Sequence, residues 1–507
     1  MLRHSRRDPD SPVMLEHFPA TLALIGIVVL VSSLLSGWVE RTGLPQVAIF
    51  LVLGVVLGPF GLGLLDLTLQ SPALEVIATL ALFLVLFSDA IGVDIGEARR
   101  NRRLALYVLG PGTVLPAVLI ATVAWFLLRL SVPASLILGA ALASTDPVLL
   151  RSLVRRPELP GDARIALRLE SGMNDAVLLP IVALSILALQ LQSGAATPNV
   201  GRRLLGLFVL GPVLGAVIGW TAITFLEQIR RRFGIRRDYE SLYALGVAFS
   251  AYAAAEAGGG SGFLAAFTAG LVIASLDIEL CDCFFDYGEA TAEMFLLLTF
   301  VAFGASLIWI GVTAVDGRTV AFALLALVMR TAVLLPGLRR AGVSDGSRRL
   351  IAWFGPRGLS TLLLVLLAVF AGVPGAERLF AIACLVVLLS VVLHGGGIAL
   401  FLRRRVDGAP APASTPLRRP MLPVVEEARA APAAPAADVP LRITIGELRE
   451  LWAHRAPVVL VDVRTDRTYR SDGLRAAGAV RLPPEDAVRT ARQLGLEQHA
   501  TLVVYCA

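Results

Sequence analysis

The chain has 507 residues, 56% of them hydrophobic and only 17% charged, with a mean hydropathy of +0.76. That balance excludes a soluble globular protein of this size and indicates a polytopic membrane protein. The formal net charge of +6 is carried by arginine, since the sequence contains no lysine. The arginines fall between apolar runs, so the basic balance calls for no nucleic-acid partner.

A crossing helix needs about 20 apolar residues. After an N-terminal tail over 1–20, about thirteen such runs occupy 22–38, 45–62, 73–91, 104–128, 133–150, 165–190, 203–226, 240–256, 261–277, 292–312, 318–337, 350–371 and 377–402. They define a transmembrane domain over 21–404. Arginine clusters at 99–103, 155–156, 230–232, 339–340 and 403–405 each follow an odd number of crossings. The positive-inside rule therefore places them and the C-terminus in the cytoplasm, with a counter-signal from Arg3, Arg6 and Arg7 near the start.

Acids inside apolar runs are expensive and mark candidate sites. In "LFSDAIGVD" (86–94), Asp89 is a possible cavity acid, and Asp94 reads as interfacial. In "LGAALASTDPVLL" (138–150), Pro147 has no N–H to give and disfavours helix at Asp146. The helix is expected to open there, beside Thr145, and an opened helix at membrane depth must line a cavity or lie buried in protein. A plain proline kink at a cytoplasmic end is the alternative.

The stretch "RLESGMNDAVLLP" (168–180) carries two polar pairs at helical spacing. Glu170 and Asn174 share one face, and Ser171 and Asp175 share the next, about 100° away. A carboxylate beside a hydroxyl suits a hard monovalent cation, and the same carboxylate accepts a proton instead. A cytoplasmic helix start with ordinary acidic residues is the competing reading. Downstream, "EAGGGSGFLAAFTAGL" (256–271) reads as a close-packing device of small residues.

In "WFGPRGLSTLLL" (353–364), Arg357 must be paired if buried, and Glu170 is the expected partner. This run is antiparallel to 133–150 in the count, as an inverted repeat requires. The glycines of "VLHGGGIAL" (392–400) offer a rival second break, with His394 read as an interfacial helix-end residue.

The ordered set "STDPV", "ESGMNDA", "GSGFLAAFTAGL" and "GPRGLS" resembles the monovalent cation:proton antiporters of the sodium/proton exchanger type, NhaP-like branch, over about 21–402. The resemblance implies an all-α inverted-repeat fold with two broken helices crossing near the midplane. It also implies a dimerisation region and exchange of Na⁺ or K⁺ for H⁺ by alternating access, with no cofactor. It implies that Asp175 is the shared cation and proton site, and that Asn174 marks the electroneutral branch. By the same resemblance Ser171, Thr145 and Asp146 line the ion site, and Glu170 with Arg357 forms a structural ion pair. Ser88 and Asp89 depart from the pattern of many members, which place a Glu one position differently.

A Pro/Ala-rich linker over 405–440 cannot bury a core. Beyond it, in 441–507, "ITIGELRELWAHR" reads as a short strand and helix, and "PVVLVDVR" and "ATLVVYCA" read as strands of a small α/β domain with a parallel sheet. These residues are similar to the rhodanese-like domain, with Cys506 at the position of that family's catalytic cysteine. The pattern stops at Ala507, so an incomplete domain with an inert Cys506 is expected. Cys281, Cys283, Cys384 and Cys506 show neither zinc spacing nor a disulfide framework. The overall expectation is a transporter of the cell membrane and not an enzyme. Its alternative is a membrane sensor signalling through the tail.

Overall fold

The computed structural model describes residues 46–397 apart from 66, 94, 147–149, 151–153, 155–158, 195–198, 234–236, 277–281 and 341–342. It also describes 26–27, 30–31, 34, 448, 458–464, 476, 478–483, 487–496 and 501–505. The chain divides into two compact units, Met1–Ala411 and Pro412–Ala507. Cys506 and the expected linker over 405–440 lie outside the described residues.

The first unit is helical. Its main helices are α1 (Gln46–Leu57), α2 (Pro72–Ile91), α3 (Pro111–Leu128), α4 (Val132–Ala143), α5 (Gly161–Gln192), α6 (Gly211–Phe233), α7 (Arg237–Ala257) and α8 (Gly262–Ser275). They continue with α9 (Asp282–Ala305), α10 (Gly317–Arg340), α11 (Asp345–Trp353), α12 (Leu359–Phe370) and α13 (Ala376–Ser390). Among the described residues, six helices are long and apolar enough to cross a membrane, or seven when a pair bent by 55° after Ala305 counts as one span. Helices α4 and α12 belong to a shorter class, α4 stopping at and α12 starting from a non-helical stretch. The hydropathy of 133–150 and 350–371 does not separate such halves, so each reads in the sequence as one span.

Small residues let backbones meet where lipid supplies no hydrophobic drive. Gly211, Gly215 and Gly219 recur every fourth residue on α6, and each faces the backbone of Ser261, Ala265 or Ala269 at the same spacing along α8. A Cβ on Gly215 would sit 2.1 Å from the Ala265 carbonyl oxygen. The same device joins α1 to α9, where Gly54 abuts Val301 and Gly304 abuts Leu51. The "GSGFLAAFTAGL" stretch is thus a packing surface.

Helix α5 lies at the centre of this unit and packs against α2, α4 and α12. Its first half buries Ala163, Ala166 and Leu167 in one apolar cluster and its second half buries Leu178, Leu179 and Val182 in another. The polar residues 170–175 fall between the two clusters.

The second unit contains a three-stranded parallel sheet in the order β2-β1-β3. The strands are β1 (Val458–Asp462), β2 (Val480–Arg481) and β3 (Thr501–Tyr505), with helix α14 (Ala487–Gln493) before β3. The two stretches read as strands pair directly, Val458 with Thr501 through Asp462 with Tyr505. Asp462, buried at the end of β1, accepts bonds from the Arg464 guanidinium at 2.6–3.1 Å and from the Tyr505 hydroxyl at 2.9 Å. These donors, the Arg464 side chain first, hold its carboxyl down at about 2.

Two predictions follow from this packing. Gly215→Leu should destabilise the body by about 1–3 kcal/mol or more, because α6 cannot move off α8 without losing the whole stripe. A detergent melting curve coincident with that of the native chain would contradict this. For the tail, the depressed Asp462 pKa means its stabilisation is complete above the unfolded value of about 3.9. It is lost as pH falls through about 2. Pepsin cleavage within 458–505 of the full chain should rise steeply between those pH values, whereas Asp462→Asn should be cut readily at both ends of the range.

Candidate functional site

The site forms where two helices stop short. Helix α4 ends at Ala143, and Ser144 turns to extended backbone (φ −60°, ψ 138°), with Thr145 and Asp146 following outside any helix. Residues 354–358 are likewise non-helical between α11 and α12. No second break occurs among the described residues 392–397, because the helix there continues as a π-turn through Gly395 and on through Gly397.

The two breaks bind each other. The Asp146 N–H donates to the Pro356 carbonyl at 2.9 Å, and Asp146 Oδ2 accepts the Leu359 N–H at 2.8 Å, capping α12. In return Arg357 Nη1 donates to the carbonyls of Ala143 and Ser144 at 2.8 and 3.0 Å, capping α4. Each break lends the other the charge that its half-helix end requires, an anion at an N-terminus and a cation at a C-terminus. The glycines of "GPRG" leave the necessary room. A Cβ on Gly358 would fall 1.8 Å from Asp146 Oδ2, and one on Gly355 would fall 2.5 Å from Arg330 Nε.

The expected Glu170–Arg357 pair is therefore corrected. Glu170 pairs with Arg330 of α10 instead, in a bidentate contact at 2.6 and 2.7 Å. Arg330 also donates to the Ala352 carbonyl at the end of α11 at 2.9 Å. Arg330 is a lone arginine inside the apolar run 318–337. The rule that singled out Arg357 applies to it equally.

Asp175 lies on α5 opposite both breaks and is 4% exposed. Its Oδ1 accepts the Ser144 hydroxyl at 2.5 Å. Asn174 is fully buried and donates through Nδ2 to Thr145 Oγ1 at 2.9 Å. Its Oδ1 is buried with no hydrogen-bond partner among the described residues. The structure thus brings Asp175, Asn174, Thr145 and Asp146 together and adds Ser144.

Ser171 is buried on the same helix, but its hydroxyl bonds back to the Leu167 carbonyl at 2.8 Å. Asp89 is half-buried on α2 beside α5, where a Cβ on Gly172 would approach the Asp89 Cβ at 3.8 Å. His394, expected at the interface, is 3% exposed and its Nδ1 lies 3.0 Å from the Ser390 hydroxyl. The π-turn carries it inward, and Ser390 in turn accepts the Arg357 backbone N–H at 2.7 Å.

Residues 27–404 match the model of the sodium/hydrogen exchanger, transmembrane family. The chain belongs to this family. Curated relatives include the K⁺/H⁺ antiporter NhaP of Alkalimonas amylolytica, 26% identical over 76% of this chain and 67% of its own length. The K⁺/H⁺ antiporter NhaP2 of Shewanella sp. strain ANA-3 is 28% identical over 77% of this chain and 68% of its own. The Na⁺/H⁺ antiporter NhaG of Bacillus atrophaeus is 24% identical over 74% of each chain. Among solved structures, the sodium proton antiporter MjNhaP1 of Methanocaldococcus jannaschii superposes with a TM-score of 0.60 at 21% identity, covering 76% of this chain and 99% of that one. The fold is that of this exchanger family, and the chain is a multi-pass membrane transporter and not an enzyme.

The buried Glu170–Arg330 pair gives a double-mutant test. Glu170→Ala strands a guanidinium and should cost about 3–5 kcal/mol, whereas the apolar double variant Glu170→Met/Arg330→Met should recover much of the loss. Thermal unfolding of the purified variants measures both. Equal losses in the single and double variants would contradict the pairing.

Proposed function

We propose that the protein exchanges Na⁺ or K⁺ for H⁺, one for one, by alternating access with Asp175 as the shared site. The observation that carries this reading is a buried carboxylate on α5 set against the first helix break. Asp175 accepts the Ser144 hydroxyl, and its neighbour Asn174 donates to Thr145 Oγ1 of the same break. Hard oxygen donors suit an alkali cation, and the same carboxylate holds a proton when the cation leaves.

Charge supports the stoichiometry. Among the described residues that join the two breaks, Asp146 and Glu170 balance Arg330 and Arg357, which leaves Asp175 as a surplus charge, and Asn174 adds none. A proton or one monovalent cation neutralises it equally, so either loaded form can cross and the empty form is disfavoured. The relatives include both K⁺/H⁺ and Na⁺/H⁺ antiporters, so both ions belong in the assay. The same reading carries about thirteen crossings, a cytoplasmic C-terminus, the cell membrane as location and a homodimer. For the tail it carries a rhodanese-like domain, supported by the parallel sheet and the Asp462–Arg464 lock after β1.

The test is dissipation of a pH gradient in proteoliposomes on adding each cation, with the membrane potential clamped at zero. The native chain should alkalinise the acidic lumen with at least one ion. Asp175→Asn, which is close to isosteric, should fold normally and abolish the response. Exchange retained by that variant would end the proposal.

A further inference from the structure

The backbone N–H of Arg357 lies in the second break, where residues 354–358 are buried and non-helical. An unpaired N–H at this depth is costly. Ser390 of α13, fully buried, accepts it at 2.7 Å. A serine hydroxyl that accepts still has one proton of its own to place. The Ser390 hydroxyl lies 3.0 Å from Nδ1 of His394, and these are its two hydrogen bonds among the described residues.

That inventory sets the direction of the second bond. Were Nδ1 the donor, Ser390 would accept twice and its own proton would be buried without an acceptor. With Ser390 donating to Nδ1, the hydroxyl and the Arg357 N–H are both satisfied. Nδ1 therefore carries no proton, and the ring N–H sits on Nε2. The imidazole is buried and packs on Trp353, with ring centroids 5.7 Å apart and planes tilted by 55°. Trp353 ends α11 directly before the break. His394 thus touches the frame on one side of the break and, through Ser390, the backbone inside it.

We propose that His394 is a positioning residue of the exchange site, acting through Ser390 on the second break as a neutral ring protonated on Nε2. This rests on Asp175 being the shared site. Arg357 Nη1 donates to the carbonyls of Ala143 and Ser144 at 2.8 and 3.0 Å, and the Ser144 hydroxyl donates to Asp175 Oδ1 at 2.5 Å. Four hydrogen bonds in series therefore join His394 to the carboxylate, through Ser390, Arg357 and Ser144. An acceptor at 394 draws the Ser390 proton away from the break and leaves a lone pair for the Arg357 N–H. The residue whose backbone is held in this way is the one whose side chain sets the end of α4. The role of His394 is to keep Ser144 aimed at Asp175.

The experiment compares His394→Asn, His394→Gln, His394→Leu and Ser390→Ala with the native chain and Asp175→Asn, in proteoliposomes at fixed pH with Na⁺ and with K⁺. Asparagine places an amide oxygen where Nδ1 lies, whereas glutamine carries its amide out to the position of Nε2. His394→Leu and His394→Gln should raise KM for the cation about three- to tenfold, the net worth of one hydrogen bond. kcat should stay within about twofold, because Asp175 keeps its carboxylate. His394→Asn should hold KM within about twofold of native, since the acceptor for Ser390 is restored. A role in packing alone reverses that order, because Asn leaves the larger cavity. Ser390→Ala should raise KM likewise, and adding His394→Leu to it should change KM by less than about twofold, since the series is already cut. Independently of turnover, the rise in melting temperature that added cation produces in detergent should shrink in His394→Gln but not in His394→Asn. An Asn variant as impaired as Gln, a native KM in Gln or Leu, or losses that add in the double variant overturn the assignment. The comparison of Asn with Gln, both polar, decides the matter even where Leu fails to fold. Exchange retained by Asp175→Asn refutes the underlying reading instead.

Discussion

A helix that stops at membrane depth leaves backbone groups that no lipid can satisfy, and this protein stops two of them at the same place. The exchange of caps between Asp146 and Arg357 makes that arrangement tenable. Asp146 holds the start of α12 while Arg357 holds the end of α4, and the Asp146 N–H to Pro356 carbonyl bond joins the unwound strands between them. The consequence reaches well beyond the two residues. With the breaks locked, the hydroxyl of Ser144 is aimed at Asp175, and the glycines of "GPRG" are confined to glycine because charged groups fill the space around them.

The second buried pair does different work. Glu170 and Arg330 join α5 to α10, and through the Ala352 carbonyl they reach the end of α11. Three helices around the second break are therefore tied by one arginine. A buried ion pair is a weak source of net stability, and its value here is geometric. It fixes the helix that carries Asp175 against the frame that carries α12, while leaving the Asp175 carboxylate outside the pair.

Much of this was legible in the sequence, for a definite reason. Asp146, Glu170, Asn174 and Asp175 stand out because polar groups are costly in an apolar run, and Pro147 and the glycine-flanked Arg357 advertise breaks by their backbone chemistry. What the sequence hides is partnership. Glu170 has two candidate arginines, and only the fold shows that Arg330 reaches it while Arg357 is spent on carbonyls. Ser144 is harder still, since a serine in a membrane run is ordinarily back-bonded to its own helix, as Ser171 and Ser185 are. His394 misleads for a related reason. Its neighbours read as a helix end, whereas a π-turn carries the ring inward onto Ser390.

The charge arithmetic and the geometry limit each other in a way that bears on transport. Were Asp146 or Arg357 removed, a half-helix end would lose its cap and the cluster would lose its balance together, so neither residue is free to join the cation exchange. Asp175 accepts a hydroxyl, that of Ser144, and a hydroxyl can reverse its role without separation of charge. In the proposed exchange, a proton and a cation would trade at this one carboxylate while the Asp146 and Arg357 caps and the Glu170–Arg330 pair stay in place.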